Sequence, residues 1–142
     1  MRFIFGPIIA GLFSLGCQSI EKISVTEQDF NKVRIPPSHM IFGEIPMIID
    51  LKEATFYSND STLTMRGILR DEATKLHLKE GYVSICRDTI KDLLQQTDTT
   101  GAFSLKIKIK PNKKLMFEYP GQKPIIYDLS KLLSIVVSKS SK

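Results

Sequence analysis

Hydrophobic and polar positions alternate most clearly from Phe103 to Lys110. Phe103, Leu105, Ile107 and Ile109 fall on one face, and Ser104, Lys106, Lys108 and Lys110 on the other. A period of two marks a strand with one buried side. The stretch that feeds it, Thr97-Asp98-Thr99-Thr100-Gly101-Ala102, is a turn. Asp98 and Thr99 can bond their own backbone, and Gly101 tolerates positive φ.

The same pattern predicts strands on both sides. Ile41-Phe42 and Met47-Ile48-Ile49 are apolar, and Ala54-Thr55-Phe56-Tyr57 is rich in strand formers. Ser58-Asn59-Asp60-Ser61 turns the chain into Thr62–Leu69, a hairpin. Gly81–Cys86 alternates again. Asp88–Gln96 has adjacent leucines rather than a 3–4 stripe, so it reads as turn and strand, with the strand over Leu93–Gln96. After Pro111–Lys114 come Leu115–Tyr119, a Pro120-Gly121 turn, a strand over Ile125–Leu129 and a last apolar run over Leu132–Val137. Short strands about every 10 residues, without a convincing amphipathic helix, predict an antiparallel sandwich over 41–138.

The N-terminal third is different. Residues 1–16 carry one positive charge, Arg2, ahead of an apolar run of roughly 13 residues. That is shorter than the ~20 needed to span a bilayer, and Gly6-Pro7 breaks a helix. The plan is that of a signal peptide. Ser14-Leu15-Gly16-Cys17 resembles a bacterial lipobox, which implies cleavage after Gly16 and acylation of Cys17. Ser14 and Gly16 also suit an ordinary secretory cut, which would leave a soluble periplasmic or secreted protein. The polar stretch over 17–40, with Pro36-Pro37, reads as a surface tether spanning at most ~80 Å. A short helix around Thr26–Val33, capped by Thr26, is the alternative there.

Several blocks occur in order: Gly67-Ile68-Leu69-Arg70-Asp71, Gly81-Tyr82-Val83-Ser84-Ile85, Thr97–Leu105 and Leu115–Gly121. Their order and spacing resemble the carboxypeptidase regulatory-like domain over 63–129. The resemblance implies an all-β, seven-stranded antiparallel Greek-key sandwich of the transthyretin (prealbumin) type. Its motif residues, here Asp98, Gly101, Phe103 and Leu105, are architectural, so no catalytic residue is carried over. The family usually has Pro-Leu where this chain has His77-Leu78, and Gly-Tyr where Gly121 precedes Gln122.

Composition adds a little. The chain has 142 residues, 42% hydrophobic and 25% charged, with a net charge of +5. This suits one folded domain. The lysines are scattered without interleaved aromatics, which argues against a nucleic-acid partner. Lys106, Lys108 and Lys110, followed by Lys113 and Lys114, form the one basic stripe. It could attract anionic lipid or acidic glycan, although a solvated sheet face explains it more simply.

Catalytic chemistry has little to stand on. His77 and Glu80 have H-x-x-E spacing, but no histidine follows to complete a zinc site, and His39 is isolated. Two cysteines with no C-x-x-C exclude a four-cysteine zinc site, and lipidation of Cys17 would leave Cys86 a lone strand thiol. Asp98 with Thr100 offers too few ligands for calcium. Tyr82, Tyr119 and Tyr127 could stack on a sugar, Tyr119 from an inward phase. A transthyretin-type hydrolase would need a Tyr-Arg-Gly-Ser tail, and this chain ends Lys139-Ser140-Ser141-Lys142. No cofactor is expected. The sequence favours a non-catalytic envelope lipoprotein that binds or scaffolds. The alternatives are an accessory subunit docking on an envelope enzyme or outer-membrane transporter and, further off, a small hydrolase.

Overall fold

The computed structural model describes residues 21–36 and 45–140. The expected signal peptide, the acylated Cys17, His39 and the Ile41-Phe42 run lie outside these residues. Among the described residues the chain forms β1 (Lys22–Ser24), α1 (Glu27–Lys32), β2 (Arg34–Ile35), β3 (Met47–Tyr57), β4 (Thr62–Asp71) and β5 (Tyr82–Arg87). It continues through β6 (Ile90–Gln96), β7 (Ala102–Lys108), β8 (Lys114–Glu118) and β9 (Ile125–Asp128) into α2 (Leu129–Ser140). The strands make two antiparallel sheets, ordered β1-β3-β4-β7 and β2-β9-β8-β5-β6.

The inward faces follow the alternation. Leu63, Met65 and Leu69 of β4, Phe103 and Leu105 of β7, Val83 and Ile85 of β5, and Leu115 and Phe117 of β8 share one buried core. Full burial of such side chains stabilises by about 1.5–3 kcal/mol each relative to exposure. An aromatic chain crosses this core. Phe103 and Phe117 have ring centroids 5.0 Å apart, Phe117 and Tyr127 6.2 Å, and Tyr127 and Phe30 5.0 Å.

Two sequence expectations are corrected. The segment read as a tether is part of the sandwich over 22–35. β1 pairs with β3, β2 pairs with β9, and Ile23, Val25, Phe30 and Val33 are buried. The short-helix alternative at Thr26 is the one observed. Asp29 N–H donates to Thr26 Oγ1 (3.2 Å), and Thr26 N–H donates back to Asp29 Oδ2 (2.9 Å), a reciprocal cap.

The last apolar run is part of a helix, against the expectation of no convincing amphipathic helix. Its signal was the spacing Leu129, Leu132, Val136, all fully buried, with Asp128 Oδ1 accepting from the amides of Ser130 and Lys131. α2 lies against α1, β1, β8 and β9, on the side where β1 and β2 are the sheet edges. It is too short to cross a membrane, and no helix among the described residues is long and apolar enough to do so.

One ion pair fastens α2 to α1. Lys139 Nζ donates to Asp29 Oδ2 and to the carbonyl of Ser24 (3.2 Å). Burial pushes the Asp29 carboxyl up, but hydrogen bonds from Lys139 and Thr26 outweigh it and hold the carboxyl below its ordinary value. A lowered folded-state pKa gives stability that is present above about pH 4 and is lost as pH falls through the folded value. Lys139→Met should cost about 1–3 kcal/mol at neutral pH, because it leaves a buried carboxylate without its cation. The variant should also lose less stability than the parent between neutral pH and about pH 3. Urea unfolding at the two pH values checks both expectations.

The opposite side is closed more lightly. β6 and β7 are the free edges there, and the Gln95 amide joins them. Its Nε2 donates to the Ser104 carbonyl (2.7 Å), and its Oε1 accepts from the Ser104 N–H (3.0 Å). The side chain thus satisfies both backbone groups of one residue of the β7 edge.

Candidate functional site

The Asp98 turn is a fastening. Asp98 Oδ1 accepts from Thr100 N–H (2.8 Å), Thr100 Oγ1 (2.7 Å) and Ala102 N–H (3.0 Å). The Thr100 hydroxyl bond, followed by those two amides, lowers the carboxyl's pKa, so the turn is held best above about pH 4. With three donors already on that oxygen, Asp98 serves the backbone. Gly101 has φ +78° and sits against β4, its carbonyl accepting from Leu69 N–H (2.9 Å). Phe103 and Leu105 point into the core.

Thr97 is buried and clamps the 78–81 connection to this turn. Its Oγ1 donates to the Leu78 carbonyl (2.6 Å) and accepts from Gly81 N–H (2.8 Å). Thr97→Val keeps the shape but leaves both partners without a mate. The expected cost is about 1–3 kcal/mol, read as a lower urea midpoint with an unchanged slope.

The residues singled out for chemistry are not brought together. Lys106 and Lys108 are exposed on the outer face of the four-stranded sheet, opposite Thr64 and Thr62 of β4, and Lys110 lies beyond the strand end. His77 is exposed and bridges Arg70, while Glu80 ends that connection at φ +61°. Among the described residues, no three His, Cys, Asp or Glu side chains are grouped to hold a metal. Cys86 is half-buried on the outer face of β5. Burial raises its thiol pKa against the lowering effect of Lys91, which leaves little thiolate at neutral pH. Tyr127, expected as a possible sugar platform, is instead buried in the core, and burial pushes its pKa up to about 12.

The concave feature with mixed chemistry lies on the outer face of the five-stranded sheet. It is a groove of about 620 Å³ between β6, β5, β8 and the 119–124 turn. That volume falls within the ordinary range for small-molecule sites. Antiparallel register sets Tyr82 opposite Glu118 and Ser84 opposite Leu93. Lys91 of β6 reaches across β5 to Glu118 of β8 (2.9 Å), and the bond to Glu118 raises the Lys91 pKa. Ser84 is buried although it points outward, and Tyr82 is 40% exposed.

Gln122 completes the groove at the turn. The turn is held by Gln122 N–H donating to the Tyr119 carbonyl (3.0 Å), and by Ile45, which bonds Gly121 and Lys123. Gln122 Nε2 donates to Asp71 Oδ2 (3.0 Å), and its buried Oε1 has no donor among the described residues. Sequence reasoning picked out Tyr82 and Tyr119 but missed Gln122. A loop glutamine carries no periodic signal, and its partner Asp71 lies 51 residues away. Comparison of the chain with family models, with curated proteins and with solved structures returned no match.

Proposed function

We propose that this chain is a non-catalytic binding module of a bacterial envelope, exported by residues 1–16 and held to a membrane through an acylated Cys17. The observation that carries the binding role is the groove. It pairs an exposed aromatic ring with an internally neutralised Lys91–Glu118 pair and includes no cluster of titratable groups suited to acid–base work. The regulatory-like, Greek-key reading applies to β3–β9. Setting β1 and β2 aside leaves seven strands, ordered β3-β4-β7 and β9-β8-β5-β6. β8, β5 and β6 adjoin in one sheet, and Gln95 ties β6 to β7, an order that fits a Greek key.

On this reading the leash is short. Only residues 18–21 separate Cys17 from β1, a reach of at most about 14 Å. The sandwich would ride close to the lipid surface. A second reading, an accessory subunit that receives a partner's strand, is favoured by the free edge at β6, where Ile90, Leu93 and Leu94 are 50%, 57% and 39% exposed.

Growth with alkyne-labelled palmitate tests the proposal. Label in the membrane fraction of the parent and none in Cys17→Ala is the expected result. An unlabelled, soluble mature chain would replace the anchor with an ordinary secretory cut. A cytosolic chain that retains Met1 would end the envelope reading.

A further inference from the structure

We infer that the end of the sandwich from which the chain leads back toward Cys17 is a docking face for an anionic lipid surface. This deepens the anchored reading above and rests on it. Register and turn contacts place that end. Lys22 of β1 pairs with Tyr57 at the close of β3, and the Glu21 carbonyl accepts from Ser58 N–H (3.0 Å). Thr62 pairs in turn with Lys108, and the Ser61 carbonyl accepts from Ile109 N–H (2.8 Å). The connection that follows crosses to the other sheet. There Lys114 pairs with Asp128, Asn112 N–H donates to Ser130 Oγ (2.8 Å), and the Lys113 carbonyl accepts from Leu129 N–H (3.1 Å). The first turn of α2, which carries Lys131, therefore lies beside the same connection.

Six lysines thus gather where the chain enters the fold: Lys22, Lys108, Lys110, Lys113, Lys114 and Lys131. All are exposed except the half-buried Lys113, and none is in an ion pair among the described residues. Lys22 stands 5.8 Å from the centre of the Tyr57 ring, a contact that leaves its charge uncompensated. Arg87 closes β5 at this end and adds a seventh cation. The acids here are Glu21, Asp60, Asp88 and Asp128, so seven bases against four acids leave a surplus of three positive charges among the described residues. The opposite end, made by the 71–81, 97–101 and 119–124 connections, sets Lys75, Lys79 and Lys123 against Asp71, Glu72, Glu80 and Asp98. The charge of the domain is therefore sided.

Charge selects an anionic partner, and placement selects its form. The cations stand on separate elements, and none lines the groove of about 620 Å³, which suits an extended anionic plane better than one small ion. An acidic glycan shares that chemistry, but position favours lipid. Only residues 18–21 separate this end from Cys17, a reach of at most about 14 Å, so a bilayer holding an acylated Cys17 meets this end first. Each lysine within a Debye length of an anionic leaflet is worth about fivefold in partitioning. Docked in this way, the domain turns Tyr82 and the 119–124 turn, at its opposite end, away from the bilayer.

Lysine footprinting tests the inference. The full chain is reconstituted on vesicles of phosphatidylcholine alone and of phosphatidylcholine mixed with phosphatidylglycerol. A water-soluble acetylating reagent is applied, and the rate at each lysine is read by mass spectrometry. Lys110, Lys113 and Lys131 should react about fivefold more slowly on the anionic vesicles than on the neutral ones. Salt at about 1 M should abolish the difference. Lys75 and Lys79 should react alike on both. In the double variant Lys110→Gln/Lys113→Gln the protection of Lys131 should weaken.

Equal rates at the basic end on the two vesicles would overturn the inference. So would equal slowing of Lys75 and Lys79, which would mean an unsided approach. Slowing by the acidic polysaccharide alginate without vesicles, with none on anionic vesicles, would overturn it in favour of a glycan. Palmitate labelling reads the anchor separately. An unlabelled chain that still shows sided protection on anionic vesicles would keep the docking face and lose only the leash.

Discussion

Gly101→Ala should cost the domain about 3 kcal/mol, and Gly121→Ala only about 1 kcal/mol. Both glycines hold left-handed backbone, at φ +78° and +80°, so both substitutions carry the same conformational strain. Their surroundings differ. A Cβ on Gly101 would come 2.9 Å from the Leu69 carbonyl oxygen, 3.1 Å from His77 Cβ and 3.1 Å from Leu78 N, whereas one on Gly121 meets nothing within 4 Å. Two of the three atoms that crowd Gly101 are backbone, so the clash is relieved only by parting the turn from β4. Valine at 101 should be worse still, since a β-branched residue resists positive φ. Urea unfolding of the two alanine variants isolates the steric part as their difference. Equal costs would mean that the Asp98 turn does not press on the Leu69 carbonyl and the 77–78 backbone.

The second large effect is expected at Phe103. Phe103→Ala should destabilise by about 3–5 kcal/mol. Its ring reaches so close to Gly67 that a Cβ there would stand 3.0 Å from Cζ, and it meets Phe117 at a 57° tilt. Removing it opens a cavity where both sheets converge, with little around it free to collapse. A double-mutant cycle with Phe117→Leu should show about 0.5–1.5 kcal/mol of coupling beyond the lost area. Additive losses would place the two rings in separate clusters. Since β7 carries Phe103 and β8 carries Phe117, the cycle also reports how the Asp98 turn supports the strand beside the groove.

What could be read from the chain depended on how long each pattern ran unbroken. β7 alternates over its whole length, and Asp98 with Gly101 names its turn, so both stand out. β3 looked like two apolar pieces, because the register shifts between Leu51 and Glu53. Met47 and Ile49 point inward before the shift, and Ala54 and Phe56 after it. β6 was legible only from Leu93, where its adjacent leucines begin, since the strand is an edge exposed everywhere but Gln95 and has no buried face to impose a period.

The N-terminal strands have three and two residues, too few for any period, and they sit among charges that suggested solvent. Their buried residues are nevertheless spaced correctly, Ile23 with Val25 for a strand and Phe30 with Val33 for a helix turn. At the groove, Tyr82 could be found as an outward aromatic. The Lys91–Glu118 pair and the Gln122–Asp71 bond join residues 27 and 51 positions apart. The register of the five-stranded sheet brings the first pair together, and the Ile45–Gln122 bridge beside the Met47–Asp71 end of β4 the second.

The claim that matters most is that residues 22–35 are built into both sheets, because this sets how far the groove could stand from the lipid proposed at Cys17. Amide hydrogen exchange on the native chain measures it. Val25 N–H donates to the Ala54 carbonyl (3.0 Å) and Val33 N–H to the Phe30 carbonyl (3.1 Å), while Asp128 N–H donates to the Val33 carbonyl (2.9 Å). All three amides should exchange as slowly as those of β4, opening only when the whole sandwich opens. Exchange of Val25 and Val33 at the rate of an unstructured peptide, beside a protected β4, would contradict the account and return this segment to a free tether.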